Sequence, residues 1–274
     1  MKFTTQLIAV YALLTGATAS FGAQNSCAAQ SGATRTPVIE LYTSEGCSSC
    51  PPADKWLSTL KTSGAEGGMV NGVANSAANN AASGAINAAV VQAFHVGYWD
   101  YIGWVDRFAS PAYTTRQRQQ AALGGQSTIY TPQAVLNGRD WRDWYGSGRR
   151  LPASKEPAGA SISLRQVADD QFEATVTPIA GAAPTGSTWS AYWTVTEHGH
   201  SSKVKSGENA GEFLQHDFVV RQYTPVGDYA VDAKTPQKLV WRSIAATPGH
   251  ARQINLVVFD PKTGKTLQAV SASC

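Results

Sequence analysis

Two cysteines separated by two residues, Cys47-Ser48-Ser49-Cys50, constrain this chain more than any other feature of it. Ahead of them runs a short β-favouring stretch, Val38-Ile39-Glu40-Leu41-Tyr42, which ends in the turn Ser44-Glu45-Gly46. Behind them Pro51 and Pro52 open an amphipathic segment whose buried face is supplied by Trp56, Leu57 and Leu60. The order strand, turn, dithiol, helix brings both thiols to a helix N-terminus, where free N–H groups and a partial positive charge favour the thiolate of the first. In that chemistry Cys47 attacks and Cys50 resolves. A static bridge and half of a metal site are the competing readings of the same spacing.

The other two cysteines, Cys27 and Cys274, each stand alone. With Cys47 paired to Cys50 they are the thiols left over, so a structural clasp between the two ends of the chain is expected. In the loop-entropy picture it constrains the unfolded chain by roughly 4 to 5 kcal/mol. The start of the chain, Met1-Lys2 followed by the apolar run 7–14 and the small-x-small site Ala17-Thr18-Ala19, reads as a signal peptide over 1–19. Residues 20–274 are then expected in the periplasm or outside the cell, where disulfides persist. No later run approaches the length of a membrane span. A net charge of +3 with no basic block argues against nucleic acid. Protein or peptide thiols and disulfides are the expected partners.

Along the chain, residues 62–85 are rich in Gly, Ala, Asn and Ser and read as a flexible insertion. The run Ala88-Ala89-Val90-Val91-Gln92-Ala93-Phe94-His95-Val96 reads as a strand covered on both faces. It leads into the aromatics Tyr98, Trp99, Tyr101 and Trp104, with Asp100 among them, which either pack over the sheet or line the mouth of a substrate groove. Residues 111–123 predict a polar helix with a solvated arginine face, and Asn137-Gly138 a tight turn between two antiparallel strands. From about residue 153 alternating strands separated by turns predict a small antiparallel β-sandwich. Glu197-His198-Gly199-His200 reads as a polar loop, with no third ligand near it in sequence and no metal assigned.

The succession of strand, C-x-x-C helix, strand, helix and Thr131-Pro132 before a closing hairpin resembles a thioredoxin-type fold. The resemblance implies a cis peptide bond at Pro132 facing the dithiol, with the backbone at Thr131 pairing with an extended substrate. More closely, the chain resembles a family of bacterial secreted proteins known as domain of unknown function 1223. The matching stretches are Glu40-Leu41-Tyr42-Thr43-Ser44-Glu45-Gly46-Cys47-Ser48-Ser49-Cys50-Pro51-Pro52-Ala53-Asp54, residues 94–104 and 108–111, Tyr130-Thr131-Pro132-Gln133, and Gly207-Glu208-Asn209-Ala210-Gly211. Gly97 departs from the family pattern, which has Asp there, and Ser48-Ser49 departs from the Gly-Pro of thioredoxin itself.

The expected architecture is therefore an α/β thioredoxin-like domain over 20–152, followed by a small antiparallel β-sandwich domain over 153–274. The leading function is thiol/disulfide exchange, with Cys47, Cys50 and Pro132 in catalytic roles and Thr131, His95, Tyr98, Trp99 and Asp100 as binding residues. A non-catalytic secreted binding protein with a static Cys47–Cys50 bridge is the first alternative. A soft-metal chaperone using Cys47, Cys50 and His95 is the second. No G-x-S-x-G elbow suggests a hydrolase.

Overall fold

The computed structural model describes residues 27–61, 69–70, 87–147, 154–180, 188–231 and 235–274. The expected signal peptide, nearly all of the insertion over 62–85 and the expected boundary at 152/153 lie outside the described residues. In chain order the elements are β1 (Ala28–Gln30), β2 (Val38–Thr43), α1 (Pro51–Thr59), β3 (Met69–Val70), β4 (Asn87–His95), α2 (Pro111–Leu123), β5 (Gln133–Leu136), β6 (Arg139–Asp140), β7 (Ala160–Ala168) and β8 (Gln171–Pro178). They continue with β9 (Thr188–Glu197), β10 (His200–Lys203), β11 (Phe213–His216), β12 (Val219–Ala230), β13 (Gln237–Arg242), β14 (Arg252–Phe259) and β15 (Thr266–Ser273).

These strands overturn the expected architecture. The fold is mostly β-sheet, with two α-helices among the described residues, and is not an α/β thioredoxin-like domain followed by a separate small sandwich. A nine-stranded mixed sheet in the order β15-β14-β9-β12-β4-β2-β5-β6, with β3 beside β4, runs through both halves. The seam is short: Val219 pairs in parallel with Ala93, and the Ala93 N–H donates to the Phe218 carbonyl at 2.8 Å. The physical reason for the departure is the free edge of β4. An unpaired strand edge is a template for another strand, and β12 occupies it, so the later strands extend the sheet instead of closing on themselves.

Alternation along β2 sets which face each helix covers. Ile39 and Leu41 pack with Trp56, Leu57 and Leu60 around α1, whereas Tyr42 packs with Phe94 and with Tyr113 from α2. A second sheet, β1-β7-β8-β13, stacks on the β9, β14 and β15 part of the large one. Trp193 and Trp241 meet there with ring centroids 5.2 Å apart and planes within 9°. At Asn137-Gly138 the chain takes φ of 51° and 81°, and the antiparallel β5–β6 pair closes across this turn.

The expectation that the arginines of α2 form a solvated face is corrected at Arg116. This residue is 4% exposed and forms a two-point ion pair with the carboxylate of Glu40 on β2. Tyr42 and Tyr192 also donate to Glu40, each at 2.7 Å, and the guanidinium lies 3.9 Å from the Tyr192 ring centre. Gln92 donates to Tyr192 and accepts from Thr194 on β9. Burial drives both tyrosine hydroxyls well above their ordinary pKa. One polar network therefore joins β2, β4, α2 and β9, with its charges paired as burial requires.

Candidate functional site

The end of β2 delivers the chain to the site. Tyr42 lies opposite Gln133 in the β2–β5 ladder, so Pro132 sits level with the point where the loop from Ser44 to Cys47 leaves the sheet. The Thr131–Pro132 peptide is cis. Trp99 ties this corner to the dithiol loop: its Nε1–H donates to Thr131 Oγ1 at 2.7 Å, and a Cβ on Gly46 would stand 3.0 Å from its own Cβ. Gly46 is needed for that approach.

Cys47 and Cys50 are joined by a disulfide with Cα atoms 5.4 Å apart. Cys50 is the N-cap of α1 and not a residue of its first turn, and Pro51 and Pro52 carry no N–H to offer a thiolate. The Cys47 sulfur instead has the Ser49 hydroxyl at 3.3 Å. Both cysteines are buried, while Ser48 and Ser49 between them are exposed. The covering layer comes from the far half of the chain. Asn209 donates to the carbonyls of Glu45 and Cys47 at 2.8 and 3.0 Å, and the Ser48 N–H donates to Glu208 at 2.9 Å.

Around the ends of β2 and α1 that flank the dithiol lies a group of buried ionisable residues. Glu45 accepts from Trp104 at 2.8 Å and pairs with His216 Nε2 at 3.1 Å. His216 Nδ1 faces Asp54 at 3.9 Å, and Asp54 accepts from Thr43 at 3.1 Å. His95 Nδ1 is 2.7 Å from Asp106, which also takes the N–H groups of Glu45 and Phe108. The His95 and His216 rings meet edge to face at 4.9 Å. Burial raises the Asp54 carboxyl above its ordinary value, more than the two histidines and Thr43 offset. For Asp106 and Glu45 burial is the largest influence, yet it is outweighed, by His95 for the first and by hydrogen bonds from His216, Ser202 and Trp104 for the second, and both stay acidic. His95 is held above its ordinary value because Asp106 outweighs burial.

The binding residues expected from sequence are distributed unevenly. His95 is fully buried and anchors the loop through Asp106, so it lines no groove mouth. Trp99 and Thr131 meet beside the dithiol loop. Asp100 accepts the Asp106 N–H at 3.2 Å, and Tyr98 packs partly buried against the Tyr42 and Phe94 cluster. Cys27 and Cys274 form the second disulfide, 247 residues apart and remote from this loop in the sheets.

Sequence reading missed Glu45, Asp54, Asp106, Glu208, Asn209 and His216 as members of one site. His198 and His200, expected on a polar loop, are buried against Gln253 and Glu197 instead. The signal for Glu45, Asp54 and Asn209 was their place inside the matching stretches. His216 carried none, being brought across 171 residues to Glu45 by the β11 strand. Among the described residues no group of three or more His, Cys, Asp or Glu side chains is arranged to hold a metal ion. No helix among them is long and apolar enough to cross a membrane.

The model of one protein family, "Protein of unknown function (DUF1223)", matches residues 38–259, and the chain belongs to that family. No curated protein matches the sequence. Two solved structures are similar in fold. Protein AGR_C_4864 from Agrobacterium tumefaciens shares 21% identity at a TM-score of 0.55, over 87% of this chain and 94% of its own. HBP35 of Porphyromonas gingivalis shares 11% at 0.56, over 88% of this chain and 76% of its own.

Proposed function

We propose that this DUF1223 protein exchanges thiols and disulfides through the Cys47–Cys50 pair. A partner thiolate attacks the Cys47 sulfur, a bond forms to it, and the Cys47–Cys50 bond breaks with its electron pair going to Cys50. Loss of the partner's second thiol proton and attack of that sulfur on the mixed disulfide release an oxidised partner and a reduced Cys47–Cys50 dithiol. The dithiol ends with two protons that the disulfide lacked, so the pair needs proton-holding groups near it. The observation that carries the proposal is the buried set of Asp54, Glu45, Asp106, His95 and His216 around the ends of β2 and α1 that flank this disulfide. Burying five ionisable side chains is costly unless they are paired, and such a set offers proton-holding groups to the loop that carries the pair.

One observation favours a second reading. Both sulfurs are covered, with Asn209 and Glu208 holding the loop shut, which suits a permanent bridge on a binding protein. Under the exchange reading this cover has to shift before a partner enters. Insulin reduction and oxidation of a model dithiol peptide, run with the intact protein and with Cys47→Ser and Cys50→Ala, separate the two. Exchange requires activity that Cys47→Ser abolishes and a mixed disulfide trapped on Cys50→Ala. Equal rates for all three proteins sink it. An exported location fits two disulfide bonds, since such bonds persist in oxidising compartments.

A further inference from the structure

Beside the disulfide, between α1 and the segment 208–217, opens a cleft of about 430 Å³. Ser48 and Pro51, the chain neighbours of Cys47 and Cys50, line it with Asp54, Glu208, Glu212, Asp217 and Lys55, and Asp217 already pairs with Lys61 at 2.8 Å. His216 also lines it, with a side chain only 1% exposed. Its Nε2 faces the Glu45 carboxylate, an acceptor only, so that nitrogen carries the proton. Its Nδ1 has no hydrogen-bond partner among the described residues. The Asp54 carboxylate lies 3.9 Å from it. Phe213 stands at the rim, 62% exposed.

We infer that this cleft receives a basic side chain, arginine or lysine, of the polypeptide whose thiol or disulfide meets Cys47. The carboxylates accept and carry negative charge, which suits a cationic donor and rejects a carboxylate by like charge. Phe213 offers an apolar face for the side chain's stem or a ring for a guanidinium. A polypeptide occupant is favoured over a free amine because Ser48 and Pro51, the chain neighbours of Cys47 and Cys50, line the cleft, so cation and cysteine can engage together. The inference rests on the exchange reading only for its partner's second contact, since the cleft binds a basic residue in either case.

Three nine-residue peptides test it, alike except for Arg, Gln or Glu two positions from a central cysteine. Serine-for-cysteine versions, labelled with a fluorophore, are titrated against the whole protein by anisotropy, and cysteine versions are assayed for exchange. The Arg peptide is expected to bind on the order of tenfold more tightly than the Gln peptide, a typical effect of a charge-assisted hydrogen bond, with the Glu peptide weakest. Glu212→Gln, at an exposed position, should narrow the Arg-to-Glu ratio, and Glu212→Lys should narrow it further. Equal binding of all three peptides to the intact protein overturns the inference, as does a ratio that neither variant moves. Arg preference in binding without exchange leaves the cleft standing and removes the exchange reading. Exchange with no preference does the reverse.

Discussion

Asn209 is the residue that most directly decides whether the disulfide can be reached. Its amide spans two carbonyls on either side of Gly46, and neither bond survives truncation. Asn209→Ala should cost about 1 to 3 kcal/mol, because two buried carbonyls lose their donor. It should also speed reduction of Cys47–Cys50 by dithiothreitol; a rate unchanged in the variant would show that 207–211 is not the barrier. At the same scale the buried histidines set a pH optimum for stability. Asp106 raises the folded-state pKa of His95 above its ordinary 6.5, so its contribution is complete below 6.5 and is lost as pH rises through the folded value. His200 goes the other way. Burial lowers it to about 4, so the folded state resists its protonation and loses stability as pH falls from 6.5 toward 4. Urea unfolding at pH 5, 6.5 and 8.5 should give the highest midpoint at 6.5, and a midpoint still climbing at 8.5 would contradict the assignment for His95.

Among the elements, α2 illustrates how much could be read beforehand and what could not. Its limits were legible, because Pro111 opens it and Gly124 and Gly125 close it. The hairpins behaved likewise, since Asn137-Gly138 announces its turn and the alternation of β7 and β8 announces which side chains face inward. Arg116 was misread because a helix rich in Arg and Gln has no apolar stripe, and its buried face, which also holds Tyr113, Gln117, Gln120 and Ala121, carries an ion pair with Glu40 on a strand 76 residues away. Nothing local encodes that partner. Arg116→Met leaves the Glu40 carboxylate buried without its cation, a change that typically costs about 3 to 5 kcal/mol. Glu40→Gln combined with Arg116→Met should be milder than Arg116→Met alone; thermal unfolding of the natural protein, both single variants and the double checks the order, and an additive double variant would show that the two side chains act separately.

For the whole molecule, the correction at β4 and β12 matters most. Each half taken alone reads as a familiar unit, and both readings rest on local periodicity, which is silent about which edges pair. A parallel contact at a single register position, Val219 with Ala93, joins them, and through it the far half supplies Asn209, Glu208 and His216 to the dithiol loop. The Cys27–Cys274 bond then ties the ends of this shared fold, linking the start of β1 to the end of β15. Cys274→Ser should lower stability by about 2 to 5 kcal/mol while leaving exchange by Cys47 and Cys50 intact in the folded protein. Loss of exchange in a folded Cys274→Ser protein would mean that the terminal bond has more than a structural part.

The reduction potential of the Cys47–Cys50 pair, read from glutathione-buffered equilibria with Cys27 and Cys274 still joined, tests the exchange function most directly. A working pair is expected between about −270 and −120 mV, the range spanned by exchange proteins. A value below about −300 mV, or a bond that glutathione never opens, would mark Cys47–Cys50 as a permanent structural bridge.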